Sequence, residues 1–182
     1  MSAQNRLEPE IQQNRPFRRF AFGWHPVCNP FGINMDAICD KTILVVDDDA
    51  RMLRALEKVL GVEGMDVIPA FEACEAVEIL TRRQKRIDLV ITDLRMPFVT
   101  GITLLYAIHQ IFPSLPVIVL TAFGNPEVRA ECLQQGAVAF LEKPVKSQKL
   151  IETVLQAFDS QQNRAQIFAT PKNKKRGKGD GP

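Results

Sequence analysis

The chain of 182 residues lacks any apolar run near the roughly 18 consecutive residues that a membrane helix needs. Membrane insertion is therefore not expected. Arg6, Arg15, Arg18 and Arg19 open the sequence without a continuous apolar stretch after them, which argues against a secretory signal. The four cysteines form no CxxC pair and show no metal-ligand spacing. Cys74 and Cys132 fall in predicted helices and read as small buried thiols, so a reducing cytoplasm is the expected compartment. His25 and His109 have no potential co-ligands nearby, and neither reads as a metal or phosphotransfer residue. The basic run at 172–178 has no interleaved aromatics, which weakens a strand-stacking mode of nucleic-acid binding.

Hydrophobic residues make up 46% of the chain, enough for the core of one ordinary domain with tails. The net charge of +2 is uneven. Six basic residues face only Asp180 within 162–182, whereas acids and bases balance over 1–40, so the middle is acidic. Residues 1–40 show neither helical nor strand periodicity and read as a poorly ordered extension. Met35 is a natural start for the domain that follows, so the upstream segment is either a misassigned start or a binding extension. Residues 162–182 read as a disordered basic tail, for which contact with nucleic acid is the less favoured role.

Between 41 and 161 apolar runs alternate with helical patterns. Ile43–Val46 is a β-branched run. Leu53, Leu56, Val59 and Leu60 then share one helix face, with Gly61 and Gly64 expected to close that helix. Residues 65–69 read as a weak edge strand, and Ala73, Ala76, Val77 and Leu80 as a second helix face. Residues 87–92 are apolar except at Asp88, as in a strand covered on both sides. A third helix opens at Gly101. Residues 117–120 form the fourth strand, Asn125-Pro126-Glu127 starts a fourth helix, and Gly136 ends it. Residues 137–141 supply the fifth strand, and Ser147 is expected to cap the last helix. Five strands and five helices with short connections predict a doubly wound parallel sheet between two helical layers.

In such sheets ligands bind outside the carboxyl ends of the strands. The triplet Asp47-Asp48-Asp49 ends the first strand, Asp93 the third, Thr121 the fourth, and Lys143 follows the fifth. Asp49 reads as a helix cap. The other three carboxylates offer hard oxygen donors suited to Mg²⁺: Asp48 and Asp93 directly, Asp47 through water, and the backbone carbonyl of Arg95 as a further oxygen. Asp93 then serves as the nucleophile that takes up a phosphoryl group, with Lys143 as its counter-charge. Thr121 donates its hydroxyl to the phosphoryl group, and Phe140 turns inward as Thr121 moves: a two-state switch.

Val45-Val46-Asp47-Asp48-Asp49, Thr92-Asp93-Leu94-Arg95-Met96-Pro97 with Gly101, Leu120-Thr121-Ala122 and Glu142-Lys143-Pro144 together resemble the receiver domain of two-component response regulators, the CheY-like family, over residues 41–161. The resemblance implies the strand order 2-1-3-4-5, a cis peptide before Pro144, and an output surface on helix 4, strand 5 and helix 5. It implies a sensor histidine kinase or a His-containing phosphotransfer protein as donor, and a signalling module rather than an enzyme turning over a metabolite. About 20 residues follow the last helix, so a stand-alone receiver is expected, acting on a downstream partner or through phosphorylation-driven homodimerisation. Positions two beyond the acceptor and two beyond the Thr, here Arg95 and Phe123, tune phosphoryl lifetime in this family, and both are bulky enough to shield the group. A haloacid-dehalogenase-type phosphohydrolase is the rival enzyme reading, but Asp47-Asp48-Asp49-Ala50-Arg51 does not match that family's nucleophile motif.

Overall fold

The structure is a computed structural model that describes the backbone of residues 41–169. The reading of 1–40 as a poorly ordered extension lies outside the described residues, as does the part from 170 onward of the basic tail expected over 162–182. In chain order the elements are β1 (Thr42–Val46), α1 (Ala50–Val62), β2 (Asp66–Ala70), α2 (Ala73–Arg82), β3 (Leu89–Thr92), α3 (Gly101–Ile111), β4 (Val117–Thr121), α4 (Pro126–Gln134), β5 (Ala139–Glu142) and α5 (Ser147–Ala169). All strands are parallel, in the order β2-β1-β3-β4-β5.

Side chains of a strand alternate between faces, so each buried strand feeds two cores. Ile43 and Val45 of β1, Leu89 and Ile91 of β3, and Ile118 and Leu120 of β4 pack with α1 and α5. Leu44, Val46, Val90, Val117 and Val119 point the other way, onto α2, α3 and Cys132 and Val128 of α4. This is why the strands read as unbroken apolar runs rather than as alternating ones. Pro69 is tolerated in β2 because that strand lies at the edge of the sheet.

Caps set where the helices begin. Asp49 accepts the Arg51 N–H (2.8 Å) at the start of α1, and Asn125 accepts the Val128 N–H (2.8 Å) ahead of Pro126 in α4. Gly101 opens α3 where the chain passes so close that a Cβ would lie 2.0 Å from the Asp93 carbonyl oxygen. Only glycine fits there. The peptide between Lys143 and Pro144 is cis.

Several sequence expectations are corrected. α1 runs through Gly61 to Val62, because a helical glycine costs only about 1 kcal/mol and Gly64 is the residue with positive φ (87°). β3 begins at Leu89 rather than at residue 87, since the Asp88 carboxylate turns aside to accept from Lys41 Nζ and the Thr42 N–H. β5 starts two residues later than expected, at Ala139. Ser147 is the first helical residue of α5 and not its cap. That helix continues to Ala169, beyond the boundary expected at 161. Cys132 is buried as expected, but Cys74 is exposed, its position on α2 facing away from the sheet.

Candidate phosphoacceptor site

The carboxyl ends of β1, β3, β4 and β5 bring Asp47, Asp93, Thr121 and Lys143 together. Asp47 and Asp93 are almost fully buried, and Thr121 is completely so. Lys143 Nζ lies 2.6 Å from Asp47 Oδ2 and 2.6 Å from Asp93 Oδ2, bridging the two acids. Each carboxylate is held at its other oxygen by backbone. Asp49 N–H donates to Asp47 Oδ1 (2.9 Å), while Leu94 N–H (2.5 Å) and Arg95 N–H (3.2 Å) donate to Asp93 Oδ1. Both carboxyl planes are thereby fixed before any ligand arrives.

Burial pushes the Asp47 carboxyl above its ordinary value, even though the Lys143 hydrogen bond and the Asp49 N–H pull it down. Burial alone would depress Lys143, but its hydrogen bonds and charge contacts with Asp47 and Asp93 together hold it above the usual lysine value. The ammonium is therefore secured by its partners.

Asp48, read from sequence as a direct metal ligand, is exposed, next in sequence to the buried Asp47. Among the described residues no three acids, histidines or cysteines are already grouped around one point. Lys143 takes the central place between Asp47 and Asp93. The donor chemistry still fits a hard divalent cation: two fixed carboxylates, a third acid next in sequence at the rim, and the backbone of Arg95 beside Asp93.

Thr121 Oγ1 accepts from the Phe123 N–H (3.2 Å), which leaves the hydroxyl proton free to donate. Its carbonyl accepts from the Lys143 N–H (2.8 Å), so the two residues are joined through backbone. Phe140 is buried. Its ring presses on Gly124, where a Cβ would come within 2.7 Å, and the Arg129 guanidinium of α4 lies 5.7 Å from its centroid.

Sequence reading missed how the rim is built. The Arg95 guanidinium lies 3.5 Å from the centroid of the Phe123 ring, so the residues following Asp93 and Thr121 stack across the site. Phe71, Phe98 and Phe123 are exposed on the loops after β2, β3 and β4, and Phe98 has a positive φ (66°). Nothing in the composition signalled that these three phenylalanines would share one rim.

Residues 43–155 match the family model described as the response regulator receiver domain. The chain belongs to this family. It is 38% identical over 117 residues to the transcriptional regulatory protein GlrR of Escherichia coli K12, covering 64% of this chain and 26% of that one. It is 33% identical over 124 residues to the DNA-binding transcriptional regulator NtrC of the same strain, covering 68% and 26%. The chain thus spans about a quarter of the length of these relatives. Among solved structures it resembles a CheY-like receiver domain protein from Methanospirillum hungatei (TM-score 0.65, 30% identity, 69% of this chain and 98% of that one). It also resembles a chain of the CheX-CheY-BeF3-Mg²⁺ complex from Borrelia burgdorferi (TM-score 0.65, 32% identity, 70% and 96%). As a receiver domain it is a signalling module of two-component regulation, and no described helix is long and apolar enough to cross a membrane.

Proposed function

We propose that this receiver domain accepts a phosphoryl group on Asp93 from a phosphohistidine donor. The donor is a sensor kinase or a His-containing phosphotransfer protein. The observation that carries this reading is the position of Lys143 Nζ, 2.6 Å from both Asp93 and Asp47 at the carboxyl edge of the sheet. A carboxylate oxygen of Asp93 attacks phosphorus, the P–O bond forms as the P–N bond breaks, and the bonding pair returns to the imidazole nitrogen. Lys143 balances the charge of the phosphoryl oxygens that replaces the carboxylate charge. Asp47, Asp48, Asp93 and the Arg95 carbonyl would hold Mg²⁺, which when bound neutralises charge on the incoming group.

Thr121 and Phe140 are the proposed relay to the face formed by α4, β5 and α5. Once an acyl phosphate stands at Asp93, the Thr121 hydroxyl donates to it and gives up the Phe123 N–H. α4 is poised to respond, because Cys132 is its only buried residue. This face would act on a downstream partner or pair with a second copy. The NtrC relative is named as DNA-binding, and whether this chain reaches DNA through its basic end at 172–178 is a separate, weaker proposal.

The test is incubation with acetyl phosphate and Mg²⁺, reading phosphoryl incorporation on a phosphate-affinity gel. Incorporation is expected for the native chain, is lost on chelation of Mg²⁺, and is lost in Asp93→Asn.

A further inference from the structure

A cavity of about 510 Å³ opens at the end of the sheet opposite Asp93. That size suits a buried side chain cluster or a small ligand. Ile87 and Asp88 enter it just ahead of β3, and Leu115 just ahead of β4. Leu80, Ile87, Phe112 and Leu115 give it apolar walls, and Ile111 at its edge is half exposed.

Its rim is basic. Arg83, Lys85 and Arg86 line it against a single acid, Asp88. Asp88 is already neutralised, since it accepts from Lys41 Nζ (3.1 Å) and the Thr42 N–H (3.1 Å) and pairs with Arg86 Nε (3.3 Å). Lys85 pairs with Asp66 at an exposed bridge of little strength. Arg83, held at positive φ (49°) at the end of α2, lies over the Phe112 ring at 5.9 Å and faces the opening. The cavity therefore calls for an occupant with apolar side chains and negative charge.

The chain itself supplies one. The described residues begin at Lys41, whose ammonium is bonded to the cavity acid Asp88, so the chain outside them starts within reach of the opening. Residues 31–40, outside the described residues, carry Phe31, Ile33 and Ile38 with Asp36 and Asp40, and no basic residue. Fully extended, ten residues reach about 30 Å, ample to span the mouth of the cavity. A tether this short also sets an effective concentration of about millimolar, so even a weak site is filled.

We propose that residues 31–40 dock in this cavity, with Phe31 or Ile33 against the apolar walls and Asp36 facing Arg83 and Lys85. The segment is then a built-in occupant of the face opposite the acceptor, and a partner binding that face must displace it. The inference does not rest on the phosphoacceptor reading.

The chain has a single tryptophan, Trp24, so the double variant W24F/F31W places one fluorophore in the segment. In the full-length protein its emission is expected to be blue-shifted and protected from iodide, relative to a synthetic peptide of residues 25–40 carrying F31W. Adding R83E/K85E should restore the peptide's emission and quenching, and adding D36K to that variant should bring protection back. Circular dichroism, with a cooperative thermal melt, confirms that each variant is folded. Quenching equal to that of the peptide in the W24F/F31W protein overturns the proposal. So does protection that persists unchanged in folded R83E/K85E, which would put the segment elsewhere.

Discussion

Arg95 and Phe123, which follow the acid at the end of β3 and the threonine at the end of β4, stack with 3.5 Å between guanidinium carbon and ring centroid. The stack joins the two loops flanking the proposed phosphoryl position, and it replaces two independent bulky side chains with one cover. A hydrolytic water must pass beside it.

Removing either partner should therefore speed loss of the phosphoryl group. Arg95→Ala and Phe123→Ala are each expected to raise the autodephosphorylation rate about two- to fivefold, the kinetic equivalent of a cation–π contact of about 0.5–1 kcal/mol. The double variant should be little faster than the singles, because one cover is lost in all three. Rates unchanged from the native chain would remove the shielding role.

Lys143 separates two buried acids, so its removal exposes their repulsion. Lys143→Ala should lower stability without divalent ions by about 3 kcal/mol in urea titration, as for a broken buried pair. Mg²⁺ should stabilise this variant more than it stabilises the native chain, because the cation then supplies the missing positive charge. Equal Mg²⁺ effects in both would count against a metal held by these carboxylates.

Glu63, at the end of α1, is buried, and its Oε1 has no hydrogen-bond partner among the described residues. Burial raises its carboxyl above the ordinary value of 4.5. The folded chain thus holds a proton that the unfolded chain has released, and stability contributed by this group falls as pH rises from about 4.5 through the folded value. Glu63→Gln should flatten that fall and raise the melting temperature at neutral pH, with a gain of about 1 kcal/mol. A melting curve as pH-dependent as that of the native chain would show that Glu63 is not the source.

Gly101→Ala tests the close approach behind the acceptor. The added Cβ meets backbone, at 2.0 Å from the Asp93 carbonyl oxygen and 2.8 Å from Leu94 Cα, and backbone cannot step aside as a flexible side chain would. A loss of about 2–3 kcal/mol is expected in denaturant titration, together with slower uptake from acetyl phosphate as the loop shifts.

Most of the architecture was legible because buried parallel strands advertise themselves. Ile43–Val46 and Leu89–Thr92 are apolar on both faces, and an acid directly after each can only lie at the rim. Asp49 and Asn125 were readable as caps for the same local reason. What escaped depends on contacts distant in sequence. Arg95 meets Phe123 across two loops, Arg83 meets Phe112 across two helices, and no periodicity carries either pairing. Within the acidic triplet, the run itself did not show that Asp47 alone turns in to Lys143. Cys74 was misread because being helical does not fix which face a residue takes. Gly61 was misread because a helical glycine and a terminating one look alike until the backbone angle is known.

The claim at the centre of this account is that Asp93 carries the phosphoryl group. Borohydride reduction of the acetyl-phosphate-treated protein converts an aspartyl phosphate to homoserine, which peptide mass spectrometry locates. Conversion at Asp93, with Asp47 and Asp48 unchanged, is the predicted result. Conversion at another aspartate, or none in protein that has taken up phosphate, would contradict it.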